Sequence, residues 1–152
     1  MQVQDLMSQE VLTIGVSDSC LEAVRLMYQG RVRHLPVVNR DGLLVGIVTD
    51  RDLRHHLFSP RVFDELGTTG VESLLRGVSI AEVMSRAVIS VKPLEEVKDA
   101  ARLMCEQGIG SLPVVEGDRV VGILTETDLL RQICRADVDS SPACADIIIS
   151  YP

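Results

Sequence analysis

The sequence contains no tryptophan, only two phenylalanines and two tyrosines, and no apolar run approaching the ~18 residues of a membrane span. So few aromatic side chains leave little to stack on nucleic-acid bases, and a net charge of −7 opposes a phosphate backbone. The first residues, MQVQDLMSQE, lack the basic and apolar regions of a secretory signal. We therefore expect a cytoplasmic protein that binds neither nucleic acid nor a membrane.

Motifs of covalent and metal chemistry are also scarce. The four cysteines form no CxxC pair, and Cys20 and Cys105 fall in predicted helices, so buried free thiols are favoured over a disulfide framework or a zinc site. His55 and His56 are adjacent, and adjacent helical side chains point too far apart to share one metal ion readily. There is no Ser-His-Asp order, GxSxG, P-loop or GxGxxG. We expect no enzyme, no metal site and no required cofactor.

What the sequence does contain is an internal repeat. GIVTDRDL at 46–53 and GILTETDL at 122–129 agree at five of eight positions. Upstream, residues 7–38 align with 84–115 at an offset of 77 and share Met-Ser, Arg-Leu-Met and Leu-Pro-Val-Val. The offset becomes 76 after Leu-Pro-Val-Val, where a turn between two strands is expected to absorb the change. Two copies packed together would cover a sheet that one copy leaves exposed.

Each copy predicts the order strand, helix, strand, strand, helix. A β-rich run at 11–14 or 88–91 comes first, and a helix with apolar residues at i, i+3, i+4 and i+7 follows it. Gly30 and Gly108 are predicted to end these helices in the left-handed conformation. Leu-Pro-Val-Val and the next apolar run predict a hairpin, after which Thr49 or Thr125 is predicted to cap a second helix.

The repeat sets the domain boundaries. We expect short helical pieces in the linker, around its proline and glycines, and the apolar run at 147–149 predicts an added edge strand or a partner contact. The predicted organisation is repeat 1 at 1–57, an ordered linker at 58–78, repeat 2 at 79–135 and a C-terminal tail at 136–152.

These motifs resemble a tandem pair of cystathionine-β-synthase (CBS) domains, the arrangement called a Bateman module. The resemblance covers nearly the whole chain apart from linker and tail, and it rests on Met-Ser, Leu-Pro-Val-Val and Gly-h-h-Thr-x-x-Asp-Leu, each present twice. It implies an α+β fold of two tandem β-α-β-β-α repeats packed about a pseudo-two-fold axis. It also implies clefts between the repeats that hold adenosyl compounds such as AMP, ADP, ATP or S-adenosylmethionine.

The resemblance also implies roles for individual residues. Asp52 and Asp128 would accept hydrogen bonds from ribose hydroxyls, and Thr49 and Thr125 would lie near ribose and phosphate. The simpler alternative is that the threonines only cap helices and the aspartates only complement the helix dipole. Weaker candidates for the phosphate or adenine surroundings are Thr13, Arg33, His34, Arg51, Ser111 and Arg131.

The two copies differ in charge around these positions. Arg33 and His34 precede Leu-Pro in copy one, whereas Gly110 and Ser111 precede it in copy two. Because the arginine fork suits phosphate oxygens, we hypothesise unequal clefts, one fit for a phosphorylated nucleotide and the other weaker, empty or suited to a less charged ligand.

The leading interpretation is a regulatory module that binds a nucleotide and signals to a separate effector protein or through self-association, since no effector domain is visible in these residues. The resemblance implies a homodimer. A ligand-free dimerisation scaffold is the main alternative, and a nucleotide hydrolase using His34 with an aspartate is a third.

Overall fold

The computed structural model describes residues 1–57 and 60–136. The apolar run at 147–149 and Cys144 lie outside the described residues. Both repeats have the predicted mixture of helices and strands, joined by a helix. Repeat 1 consists of a 3-10 helix (Val3–Asp5), β1 (Ile14–Gly15), α1 (Cys20–Gly30), β2 (His34–Val38), β3 (Leu44–Thr49) and α2 (Asp50–Leu57).

The segment between the repeats is one 18-residue helix rather than several short pieces. Buried Val71 and Leu75 of this helix join the core of repeat 1. Repeat 2 follows as α4 (Ile80–Val83), α5 (Val97–Gln107), β4 (Ser111–Glu116), β5 (Arg119–Thr125) and α6 (Glu126–Ala136), and the linking helix is α3 (Pro60–Gly77).

Each repeat is built around the predicted hairpin. β2 pairs antiparallel with β3, and β4 pairs antiparallel with β5, with one irregularity in the register of each hairpin. Leu35 and Leu112, the first residues of the two Leu-Pro-Val-Val motifs, are fully buried. The apolar repeat motif is therefore the centre of each core.

The first predicted strand of each copy is much shorter than expected. In repeat 1 only Ile14 and Gly15 pair, in parallel with β2, and in repeat 2 the strand is reduced to one bridge between Val91 and Val114. The residues just before these positions are held in turns, since the N–H of Val11 donates to Gln9 and that of Val88 to Arg86. The strands predicted at 11–14 and 88–91 are therefore present only at the last residue of each run, Ile14 and Val91.

The repeats exchange the segments that precede their first β runs, which we call the leading segments (residues 1–8 and 79–85). Val3 is fully buried in the core of repeat 2, and Ile80 is fully buried in the core of repeat 1. Ser8 exchanges backbone hydrogen bonds of 2.9 and 3.0 Å with Ile123, and Ser85 does the same with Ile47. Neither core is complete without residues from the other copy.

This exchange explains the glycine that opens the repeated phrase. A Cβ atom on Gly46 would lie 2.6 Å from the sulfur of Met84 and 3.1 Å from the carbonyl oxygen of Ser85. A Cβ atom on Gly122 would overlap the sulfur of Met7. Each leading segment thus crosses the opposite hairpin at a position without a side chain.

The helix ends match the prediction in one copy only. Gly108 follows α5 in the left-handed conformation, with φ of 63°, as expected. In α1 the left-handed residue is Arg31, with φ of 51°, and Gly30 is still helical. A Cβ atom on Gly30 would overlap the side chain of Leu12, so this glycine serves close packing.

The cysteines divide by exposure. Cys20 is a buried free thiol, as predicted, and burial, with a smaller contribution from Glu82, raises its pKa to about 11. Cys105 is exposed, as is Cys134, because both lie away from the apolar faces of their helices. The expectation that Cys105 is buried was wrong.

Candidate functional site

Two clefts lie between the repeats. The Asp52 cleft has a volume of about 490 Å³ and is lined by Thr49 and Asp52 of repeat 1 together with residues 87–89 and 108–111 of repeat 2. The Asp128 cleft has a volume of about 220 Å³ and is lined by Thr125 and Asp128 together with residues 10–12 and 31–34. Val11 and Leu12 of the first β run and Val88 and Ile89 of the second thus line the clefts, whereas Ile14 and Val91 are buried in the cores.

In the Asp52 cleft, Thr49 and Asp52 form a reciprocal cap at the start of α2. The N–H of Asp52 donates to Oγ1 of Thr49 at 3.1 Å, and the N–H of Thr49 donates to Oδ2 of Asp52 at 2.9 Å. This capping box satisfies two backbone donors that a helix start otherwise leaves without partners. The spacing Thr-x-x-Asp therefore has a structural role.

The same cap is built at the start of α6. The N–H of Asp128 donates to Oγ1 of Thr125 at 3.4 Å, and the N–H of Thr125 donates to Oδ2 of Asp128 at 2.9 Å. The hydroxyl of Thr125 also donates to Oδ2 of Asp128 at 2.6 Å. Both aspartates are half-buried at the wall of their cleft, and the cap uses only one of their two carboxylate oxygens.

Each aspartate has one carboxylate oxygen that remains available to a ligand. Within residues 1–57 and 60–136, Oδ1 of Asp52 and Oδ1 of Asp128 have no hydrogen-bond donor from the protein. An ionised carboxylate oxygen fixed in this way is an acceptor for hydroxyl groups. Capping and ligand contact are therefore compatible in one side chain.

The weaker candidates fall in different places. Arg33 and His34 line both clefts, Arg51 and Ser111 line only the Asp52 cleft, and Arg131 lines only the Asp128 cleft. Ser111 is buried, and the arginines are exposed. The exposed Thr13 lies outside the lining of both clefts.

Several cleft residues were missed by the sequence analysis, among them two serines and an arginine. Ser8 lines the Asp128 cleft, and Ser85 lines the Asp52 cleft, at equivalent positions of the two leading segments. The Met-Ser pair occurs in both copies of the sequence, and this repetition could have indicated that both serines belong to the clefts. Arg31 lines the Asp128 cleft because it takes the left-handed position after α1, and no sequence pattern indicates this.

The charged residues around α2 include an ion pair. Nη2 of Arg54 contacts Oδ2 of Asp50 at 2.9 Å, one helical turn away. The corresponding position in α6 is Leu130, so Glu126, the acid equivalent to Asp50, has no cation four residues further along its helix. The starts of α2 and α6 therefore differ in whether their first acid has an ion-pair partner one turn along the helix.

His34 lies half-buried at the junction of the two clefts. Burial and the neighbouring Arg33 lower its pKa, and the carboxylates of Asp50, Glu126 and Asp52 oppose this shift. The imidazole is consequently neutral at pH 7, since its ordinary pKa is about 6.5.

This lowered pKa predicts a pH-dependent stability. Between the lowered pKa and about 6.5 the unfolded chain binds a proton that the folded chain does not, so the stability present above this window is lost as the pH falls through it. Urea denaturation at a series of pH values should show wild type losing stability relative to His34→Gln as the pH falls. A constant difference between the two proteins would contradict the prediction.

The adjacent histidines form no metal pair in this structure. The His55 and His56 rings are nearly perpendicular, with centroids 5.7 Å apart, and Nδ1 of His56 lies 3.0 Å from the carbonyl oxygen of Asp52. In the part of the chain that the structure describes, no three His, Cys, Asp or Glu side chains are placed to hold a metal ion. Nor does any helix of that part combine the length and apolarity needed to cross a membrane.

Comparison with known proteins identifies the family. The CBS domain model matches residues 3–59 and 80–135. A CBS domain-containing protein of Dictyostelium discoideum is 34% identical over 129 residues, which cover 84% of this chain and 88% of that protein. The chain is also similar to a homoserine O-acetyltransferase of Methanohalobium evestigatum, with 32% identity over 132 residues, but it spans only 24% of that enzyme's length.

A solved structure matches the fold closely. The CBS domain pair of protein MJ0100, in complex with 5′-methylthioadenosine and S-adenosyl-L-methionine, has a TM-score of 0.71 and 30% identity, and covers 90% of this chain and 98% of that one. A related pair thus binds adenosyl compounds. The chain belongs to the CBS domain family and contains a tandem pair of CBS domains.

Proposed function

We propose that this chain is a regulatory module that binds an adenosyl nucleotide in the clefts between its two CBS domains and signals to a separate protein or through self-association. The observation that carries the proposal is the position of Thr-x-x-Asp. In each cleft the motif starts a helix at the wall, with one carboxylate oxygen used in the cap and the other not bonded within the described residues. The similar pair of MJ0100 holds adenosyl ligands.

The chemistry of the clefts fits such a ligand. An apolar wall from residues 87–89 or from Val11 and Leu12 suits an adenine base, and a carboxylate acceptor suits the ribose diol. Arginine side chains and the N–H groups at the start of α2 and α6 favour phosphate oxygens. AMP, ADP, ATP and S-adenosylmethionine are therefore the ligands to test.

A change of state is required for regulation. A ligand alters a conformational or assembly equilibrium only through different affinities for the two states. The clefts lie between the repeats, and each core contains a segment of the other repeat. A change in the relative position of the repeats would therefore alter the packing of both cores. We propose a cytoplasmic homodimer as the responding assembly.

One observation favours a ligand-free scaffold as the second candidate. The capping boxes of Thr49 with Asp52 and of Thr125 with Asp128 explain these residues without any ligand. Their presence in both copies is therefore compatible with a module that only packs and dimerises.

A substitution that keeps the cap separates the two functions. Asp52→Asn and Asp128→Asn retain an oxygen that can accept the threonine N–H, but they lose the charge and replace the other oxygen with a donor. Glu82→Gln is the matched control, because Glu82 caps α4 through Ser79 in the same way and lines neither described cleft.

We expect a stabilising ligand to lose affinity at least about tenfold in the double Asp→Asn variant and to keep it in Glu82→Gln, since a hydrogen bond to a charged group contributes about 1.5–3 kcal/mol. A ligand at one hundred times its Kd adds about 2.7 kcal/mol, or about 5–10 °C in Tm for a chain of this size. Thermal-shift assays with the four ligands measure the change in Tm, and calorimetry measures the affinity. Cooperative unfolding unaffected by every ligand would favour the scaffold.

A further inference from the structure

The two repeats differ in how the helix after their hairpin is covered. In repeat 1, Leu53 and Leu57 of α2 are buried, and both belong to the core that α3 joins through Val71 and Leu75. The chain reaches this place directly, since α2 ends at Leu57 and α3 begins at Pro60. The segment that follows α2 thus closes the core of repeat 1.

The equivalent side of α6 lacks such a cover. The offset of 76 places Leu129 and Ile133 of α6 where α2 has Leu53 and Leu57. Leu129 is half-buried against the core of repeat 2, but Ile133 and its neighbour Leu130 are 60% and 61% exposed. In the described part of the chain, the main contacts of α6 are with β5, whereas α2 packs against α1, α3 and α4 as well as β3.

The C-terminal tail follows α6 in the sequence as α3 follows α2. Sixteen of its residues, 137–152, come after Ala136 and contain the isoleucine run 147–149. The ten residues between Ala136 and this run can span up to about 35 Å, whereas the 11 residues of α6 are about 16 Å long. Ser-Ser-Pro at 140–142 is typical of a turn. The run can therefore return along α6 to Ile133.

The charges of the tail suit the same side of repeat 2. The tail carries Asp137, Asp139 and Asp146 and no basic residue. In repeat 1, α3 packs against α1 as well as α2, and Leu21 of α1 is buried in the shared core. The offset of 77 places the exposed Lys98 of α5 at the position of Leu21. A segment with three acids and one apolar run is complementary to a surface with an exposed lysine and exposed aliphatic side chains.

We propose that residues 137–152 fold back onto α5 and α6 of the same chain, with the isoleucine run on Ile133 and Leu130, and complete the core of repeat 2 as α3 completes that of repeat 1. Removal of these apolar side chains from water stabilises the contact. The docking requires neither a ligand nor a second chain. Because α6 begins at the wall of the Asp128 cleft, the tail holds in place a helix that lines this cleft.

Thiol labelling at position 133 tests this docking. Ile133→Cys is introduced into a chain in which the cysteines at 105, 134 and 144 are replaced by serine, and its reaction rate with N-ethylmaleimide is measured. We expect the full chain to react at least about tenfold more slowly than the same chain ended at Ala136, since a covered thiol reacts only after local opening. Replacing all three isoleucines of the run by serine should restore the fast rate.

Two reference positions calibrate the labelling rates. Leu57→Cys places the thiol in the core that α3 closes and should react slowly with or without the tail. Tyr28→Cys places it at an 86% exposed position of α1 and should react fast in both chains. Circular dichroism verifies the folding of each variant. If the chain ended at Ala136 does not fold, the variant with three serines provides the comparison.

A second copy of the chain is the competing occupant of this surface. Protection by a second copy would persist in the chain ended at Ala136 and would decrease as the protein is diluted, and this result would overturn the proposal. Protection by the tail should not depend on protein concentration. Equally fast labelling of Ile133→Cys in the full and the shortened chain, or protection that survives the three serine substitutions, would also overturn it.

Discussion

Replacing Ile80 by alanine is expected to lower the free energy of unfolding by about 2–5 kcal/mol, the usual cost of truncating a buried aliphatic side chain and leaving a cavity. Ile80 belongs to the leading segment of repeat 2, yet its side chain is fully buried in the core of repeat 1, beside residues such as Leu35 and Val48. The substitution therefore tests whether the exchange of leading segments holds the two copies together.

The control is Leu94→Ala, in the turn before α5. Leu94 is 67% exposed, so its truncation is expected to change stability by less than about 0.5 kcal/mol. Urea denaturation followed by circular dichroism should show one transition for the wild type, and the same transition at lower urea with an unchanged m value for Ile80→Ala. If only part of the signal moved, the repeats would unfold separately and the exchanged segments would contribute little.

Replacing Gly46 by valine is expected to cost about 2–3 kcal/mol, although valine favours β-strands by up to about 1 kcal/mol in ordinary positions. Valine is expected to be destabilising at this position because any Cβ atom on Gly46 would lie 2.6 Å from the sulfur of buried Met84 and 3.1 Å from the backbone oxygen of Ser85. That oxygen also accepts the hydrogen bond from Ile47, so it cannot move away freely.

Two further variants identify the cause. Gly77→Ala places a methyl group where no atom lies within 4 Å, and it should be neutral or stabilising by up to about 1 kcal/mol. In the double variant Gly46→Val with Met84→Ala, the new side chain occupies part of the space of the removed thioether. The combined loss should be smaller than the sum by at least about 1 kcal/mol, as measured by a double-mutant cycle. Simple additivity would mean that the contact with Met84 is not the source of the cost.

These expectations have one structural origin. The leading segments cross the opposite hairpins at Gly46 and Gly122, and the clefts open beside the same hairpins, with Ser85 and Ser8 on their rims. A substitution that removes the packing of a leading segment, such as Ile80→Ala, should therefore alter ligand affinity as well as stability. Ligand affinity should change even though the substituted residue does not contact the ligand.

The sequence by itself determined the features that depend on neighbouring residues. The two repeats, the hairpins around Leu-Pro-Val-Val, the apolar faces of α1 and α5, and the caps at Thr49 and Thr125 all follow from local patterns. Backbone preference, side-chain periodicity and hydrogen bonds over three residues act within one element, so their effect is readable before the chain folds.

Only the tertiary structure decided the features that depend on residues far apart in the chain. The β runs at 11–14 and 88–91 carry strand-like side chains, but only their last residues pair with a strand, and the first two residues of each run line the clefts instead. Arg31 replaces Gly30 as the left-handed residue because Leu12 packs on that glycine. Arg33 lines both clefts because the two repeats meet there, and contacts of this kind leave no periodic trace in the sequence.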